Sequence, residues 1–174
     1  GILLAEAIRE GLVELGDSVA THLPDWAAGR KVLQKITLRQ LATHRSGLPR
    51  LPDDLYGPDS DAQNPYVHYG RAEQDAYLKR LRPGDLADVG EYSYANLGMA
   101  ILARVREESF GQPYPEILQE RICRPLAMDS TIVLERIGDL PPSIQDDLAR
   151  PHIGGAGSSP WELGTFHGAG GILS

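Results

Sequence analysis

The sequence holds a single cysteine, Cys123, so no disulfide can form within it. Cys123 follows Ile117, Leu118 and Ile122 in an apolar pattern, and no histidine stands close by in sequence to activate a thiolate. A buried, inert thiol is the expectation. One cysteine leaves the compartment open, bacterial cytoplasm or export alike. Basic residues are in the minority, 17 Lys and Arg against 24 Asp and Glu, for a formal net charge of -7. That balance argues against a nucleic-acid partner, which wants a basic face. No apolar run reaches the roughly 18 residues that a membrane span needs. There is no initiator methionine, and no charged leader precedes an apolar stretch, so no signal peptide is visible. Period-two alternation is almost missing as well, and no strand pattern is convincing.

What is present suits one helical domain over residues 1–174, with 41% hydrophobic and 24% charged residues, ordinary for a globular chain. Leu4, Ile8, Leu12 and Leu15 form an apolar stripe that predicts a helix over Ile2 to Leu15, ended by Gly16-Asp17. Nothing ahead of it caps its first amides, and Gly168 to Ser174 stops at a turn, so both ends are expected to be cuts through a longer chain. Ile36 to His44 reads as a short helix with Thr37 as its N-cap, broken by Ser46-Gly47-Leu48-Pro49. Residues 49–70 carry four prolines, three tyrosines and many Asp and Asn, which predicts a long loop. Ala72 to Leu81 is expected to be helical and closed by Pro83-Gly84. In Leu97 to Glu108, helical spacing of Leu97, Ile101, Leu102 and Val105 gives the clearest helix, with Gly111 as its stop. Tyr114 to Ile122 follows as another, and Met128 to Ser174 is rich in loop residues.

Four stretches carry a resemblance. Ile36 to Pro49 is similar to the "ITLRxLLTHTSGLP" stretch of class C-type serine β-lactamases, their esterase relatives and D-alanyl-D-alanine carboxypeptidases. Pro83-Gly84 with Glu91 to Gly98 resembles that family's "PGxxFxYSNxGY", Arg124 to Thr131 its "PLGMxxT", and Gly168 to Ser174 its "GAGGLxST". Any one alone is weak, but the four stand in the family's order. The resemblance implies the helical domain of the β-lactamase/transpeptidase-like α+β fold, and the chain is therefore expected to be mainly α, lacking most or all of the antiparallel sheet. It also implies a small-molecule or peptide substrate, no cofactor and no metal.

The activity implied is acyl transfer through a covalent serine ester. Such enzymes need a Ser-x-x-Lys on a helix, a Tyr-x-Asn, and a Lys-Thr-Gly or His-x-Gly on a strand. Tyr94-Ala95-Asn96 matches the second of these. If it precedes the helix, an extended backbone points residues i and i+2 the same way, and Asn96 is then placed as the N-cap of the helix from Leu97. By resemblance, Tyr94 would shuttle the proton between serine, lysine and leaving group. Asn96 would hydrogen-bond the lysine and a substrate amide or carbonyl. No serine has lysine three residues on: Lys31, Lys35 and Lys79 follow Ala28, Val32 and Ala76 at that spacing. The nucleophile is therefore expected ahead of Gly1, and these residues alone are expected to be inactive. A non-catalytic binding or regulatory module on the same scaffold is the rival reading.

Gly168, Gly170 and Gly171 are expected to form a tight turn lining the substrate side. His152-Ile153-Gly154 spells His-x-Gly but stands ahead of the glycine stretch, where the family has it after, so coincidence is the better reading. His44 is expected to be structural near a turn. His22, His68, His152 and His167 lack zinc-site spacing. Asp53, Asp54, Asp59 and Asp61 are expected to be solvated. Within the matched stretches the chain departs from the family at Ala42, Ala95, Met99 and Ala127. Apolar surface left where a sheet would pack is expected to drive self-association.

Overall fold

The computed structural model describes residues 1–58 and 60–174, so Asp59 lies outside the described residues. Its centre is the helix α5, Asn96–Phe110. Leu97, Ala100, Ile101, Leu102, Ala103 and Val105 are all buried on it, as are Arg104 and Arg106. A helix apolar nearly all round has to be surrounded. Packed against it are α1 (Ile2–Arg9), α3 (Leu38–Ala42), α6 (Tyr114–Leu118) and α8 (His167–Gly170), while α2 (Lys31–Lys35) and α4 (Arg71–Arg80) add Leu33 and Leu78 to the same core and α7 (Pro142–Asp147) buries no residue. Strands are two residues each: β1 (Ile132–Val133) pairs antiparallel with β4 (Ile172–Leu173), and β2 (His152–Ile153) with β3 (Ala156–Gly157). Helix takes 47% of the chain and strand 6%, so the fold is mainly α, as the sequence predicts.

Most of the core is one cluster, in which Leu33, Leu38, Leu41, Leu78, Leu97 and Ile101 are sealed from solvent. A second, beneath α6, joins Leu3, Ala103, Tyr114, Ile117, Leu118 and Cys123. Cys123 is buried there.

Local chemistry explains the element ends. Thr37 caps α3 as predicted: its hydroxyl accepts from the Gln40 amide at 3.2 Å, and the Gln40 side chain accepts from the Thr37 amide at 2.9 Å. Two amides left over at a helix start are satisfied reciprocally. The first helix departs from expectation. It ends at Arg9 and turns through Gly11 (φ 71°), and it buries Leu3, Leu4 and Ala7 while Ile8 and Leu12 stay exposed. The backbone of 15–19 is needed elsewhere. Arg39 donates to the Leu15 carbonyl (2.9 Å), Leu38 to Asp17 (3.1 Å) and Val19 to Ile36 (2.8 Å), so this segment pairs with the start of α3 instead of extending α1. Another helix was expected to run Tyr114 to Ile122. It is α-helical only to Leu118 and then widens into a π turn over Gln119–Cys123.

Candidate functional site

Two of the stretches that carry the resemblance meet in space. Residues 44–50, after α3, lie along residues 87–97, which lead into α5. Six hydrogen bonds join them. Ser93 donates to the His44 carbonyl at 2.8 Å, Gly90 to Arg45 at 2.9 Å, Ala87 to Gly47 at 2.8 Å and Leu97 to Arg50 at 3.2 Å. The Arg45 guanidinium donates to the Gly90 carbonyl at 2.6 Å, and the Ala95 amide donates to His44 Nδ1 at 3.2 Å. Gly47 is required at the closest approach. Its φ is 71°, and a Cβ there would lie 2.5 Å from the Ala87 carbonyl oxygen.

This braced link presents Tyr94. The residue after it, Ala95, is extended (φ -133°, ψ 110°), and Asn96 opens α5. Tyr94 thus stands outside the helix, 44% exposed. Its ring lies 4.5 Å from the His44 ring between centroids, and the Arg50 guanidinium sits 5.8 Å from the Tyr94 ring centroid.

Asn96 needs a correction. It is the first residue of α5, and Ala95 holds the N-cap position without any side-chain cap. The amide of Asn96 is therefore not spent on capping, and it lies beside the phenol of Tyr66. Burial pushes that phenol above its ordinary value, with Tyr56 and Tyr94 adding to the rise, while the Asn96 hydrogen bond and the Arg50 charge oppose it. Tyr66 packs on Trp161 and Phe166, with centroids 5.6 and 5.2 Å away. Sequence reasoning missed it, because a tyrosine within a proline-rich loop carries no local signal of its destination.

The glycine stretch also differs from expectation. Gly168 and Gly170 belong to α8, a single helical turn, rather than to a tight turn. A Cβ on Gly168 would meet the Ala103 Cβ at 2.4 Å and the Met99 carbonyl oxygen at 3.0 Å, so its want of a side chain lets α8 press onto α5. The nearest neighbour of a Cβ on Gly170 would be Leu163, and on Gly171 it would be His167. The geometry supplies a packing reason for Gly168.

His152-Ile153-Gly154 sits in the solvent-exposed β2–β3 hairpin, well away from any core cluster. Among the described residues no group of three or more His, Cys, Asp or Glu side chains could hold a metal ion. Nor is any helix among them long and apolar enough to cross a membrane. Open clefts of about 450 Å³ at Pro49, Tyr77 and Arg80 and about 630 Å³ at Gln145, His152 and Ser158 are walled by other residues. Tyr94 and Asn96 line neither of them; Tyr94 is exposed, and Asn96 is partly buried.

Comparison with known proteins gives a consistent picture. A family model described as Beta-lactamase matches residues 1–166. The D-alanyl-D-alanine-carboxypeptidase/endopeptidase AmpH of Escherichia coli (strain K12) is 32% identical over 138 residues, covering 74% of this chain and 32% of that protein. Monacolin J acid methylbutanoyltransferase of Aspergillus terreus is 33% identical over 156 residues, covering 80% of this chain and 37% of that one. The chain thus spans about a third of the length of these relatives. A β-lactamase/D-alanine carboxypeptidase structure from Pseudomonas syringae superposes with a TM-score of 0.72 at 24% identity, covering 98% of this chain and 43% of that one. At that identity the superposition speaks for the fold alone.

Proposed function

The chain belongs to the Beta-lactamase family, and on that premise we propose that Tyr94 and Asn96 form one wall of a serine acyl-transfer site. In this reading the nucleophilic serine and its lysine come from a segment outside these 174 residues. The serine oxygen attacks the substrate's acyl carbon. Its proton passes to the Tyr94–lysine pair and then to the departing amine or alcohol, and water later releases the acyl group. Asn96 holds the lysine and a substrate amide or carbonyl by hydrogen bonds. Among relatives, one name speaks of cleaving a D-alanyl-D-alanine peptide and another of transferring a methylbutanoyl group. Both are acyl transfers, so an amide or ester of a small molecule or peptide is the substrate class.

One observation carries this reading: a half-exposed phenol on a link held by six hydrogen bonds, next to an asparagine whose amide is free of capping. Packing alone does not require a tyrosine at such a place. A second reading is a non-catalytic binding or regulatory module. It draws its support from the lack of any Ser-x-x-Lys or Lys-Thr-Gly in these residues.

Covalent labelling separates the two. A fluorescent penicillin or fluorophosphonate probe is expected to label the full-length protein and to leave the 174-residue chain unlabelled. Labelling of the short chain would overturn the placement of the nucleophile. A full-length protein that resists both probes, with no Ser-x-x-Lys ahead of Gly1, would favour the second reading. Exposed Ile2, Leu126 and Ile172 support self-association of the short chain, which sedimentation at rising concentration would reveal.

A further inference from the structure

We propose that His44 is the positioning residue of Tyr94, acting through an imidazole held with Nδ1 as the acceptor. This rests on the reading that Tyr94 handles protons in the full-length protein. The start of α5 is short of caps. Its N-cap position is Ala95 and its third residue is Gly98, so neither side of a capping box can be built from the helix itself. His44, 51 residues earlier, supplies what is missing. Its Nδ1 lies 3.2 Å from the Ala95 nitrogen, and its carbonyl accepts from the Ser93 amide at 2.8 Å. The two bonds bracket Tyr94 from both sides along the chain.

The ring does a second thing. Its centroid is 4.5 Å from that of Tyr94 at 34°, and 6.1 Å from that of Tyr92 at 81°, so the imidazole packs against both phenol rings. Because the Ala95 N–H can only donate, the facing Nδ1 must carry a lone pair. The neutral ring then bears its hydrogen on Nε2. The backbone of His44 is itself in the left-handed region, φ 55°, which places ring and carbonyl on the same segment of 91–97. A non-glycine residue held there is sustained by its surroundings.

Three substitutions divide the roles. His44→Asn keeps an oxygen near the Nδ1 position and tolerates the left-handed backbone. His44→Phe keeps a ring but loses the acceptor, and His44→Ala loses both. In the 174-residue chain, 15N NMR is expected to show an unprotonated Nδ1 on His44 and a scalar coupling from it to the Ala95 nitrogen. In the full-length enzyme, His44→Asn should stay within about 3-fold of wild-type kcat, whereas His44→Phe and His44→Ala should lose about 100-fold, the scale of a misplaced catalytic group, at nearly unchanged KM. A protonated Nδ1, absence of the coupling, or wild-type kcat in His44→Phe would overturn the proposal. Full activity in Tyr94→Phe would instead sink the reading of the site, and the NMR coupling would still decide whether His44 holds the link. If His44→Phe does not fold, the coupling and the His44→Asn rate decide the matter.

Discussion

Gly168 of α8 lies so close to α5 that a Cβ on it would stand 2.4 Å from the Cβ of Ala103. Real Cβ atoms do not approach so near, and the other neighbour, the Met99 carbonyl, is backbone. Gly168→Ala must therefore push α8 away from α5. The expected loss is about 1–3 kcal/mol, the range for overpacking a close contact. Ala103→Gly in the same chain should recover part of it. Urea midpoints of the two single variants and the double variant would read this coupling, and additive losses would contradict it.

Ala127 is where the family's stretch has glycine, and here it sits at φ 53°. An L side chain in the left-handed region is strained by roughly 1–2 kcal/mol. Ala127→Gly relieves that strain, offset in part by the greater freedom of the unfolded glycine. A net gain of about 0.5–1 kcal/mol is expected, seen as a higher melting temperature. A lower one would mean that the Ala127 methyl contributes more than its backbone loses.

His167 is buried, stacked on Tyr114 at 4.8 Å, with Nδ1 lacking a hydrogen-bond partner. Burial lowers its pKa below the ordinary 6.5, and Glu107 and Glu135 only partly oppose this. The unfolded chain therefore takes up a proton that the folded one refuses. Stability should fall as pH drops below about 6.5, by at most about 1.4 kcal/mol per pH unit from this group, until the folded histidine titrates in turn. His167→Phe keeps the stacking and removes the titration. Its stability profile from pH 7 to 5 is expected to be flatter than that of the wild type, and parallel profiles would refute the assignment.

Tyr94→Phe removes one hydroxyl from a half-exposed ring. Stability should change by no more than about 0.5 kcal/mol, as for other surface substitutions. If Tyr94 transfers a proton as proposed, the variant should lower kcat of the full-length protein by about 100- to 10,000-fold. A variant equally stable and equally active would leave Tyr94 with a packing role only.

Several features followed from short-range chemistry and were legible residue by residue. Thr37 and Gln40 make their capping box within one turn. The stop of α5 at Gly111 follows from the left-handed backbone there, and the extended backbone ahead of α5 agrees with a Tyr-x-Asn placed before a helix. The first two depend on neighbours within four or so positions, and such interactions survive translation into any fold.

Other features depended on partners far away in sequence. The segment read as the last turn of α1 pairs instead with the start of α3, Arg39 donating to the Leu15 carbonyl and Leu38 to Asp17, while α1 itself closes at Gly11 (φ 71°), where the Leu12 amide donates to the Ala7 carbonyl at 2.9 Å. A helix loses little when its last turns are exchanged for an equally bonded pairing that buries Val19 and Ile36. The glycine at 168 looked like part of a turn beside the substrate, and it became a close helix contact because Ala103 and Met99 face it. Tyr66 joined Asn96, and His44 reached Ala95, across 30 and 51 positions by the numbering of the chain. Residue type and spacing thus gave the core of α5, its stop at Gly111 and the Thr37 cap. Which group holds the Tyr-x-Asn pair in place was decided only once packing closed the loops between them, since a hydrogen bond between distant segments exists only after the chain entropy separating them has been overcome.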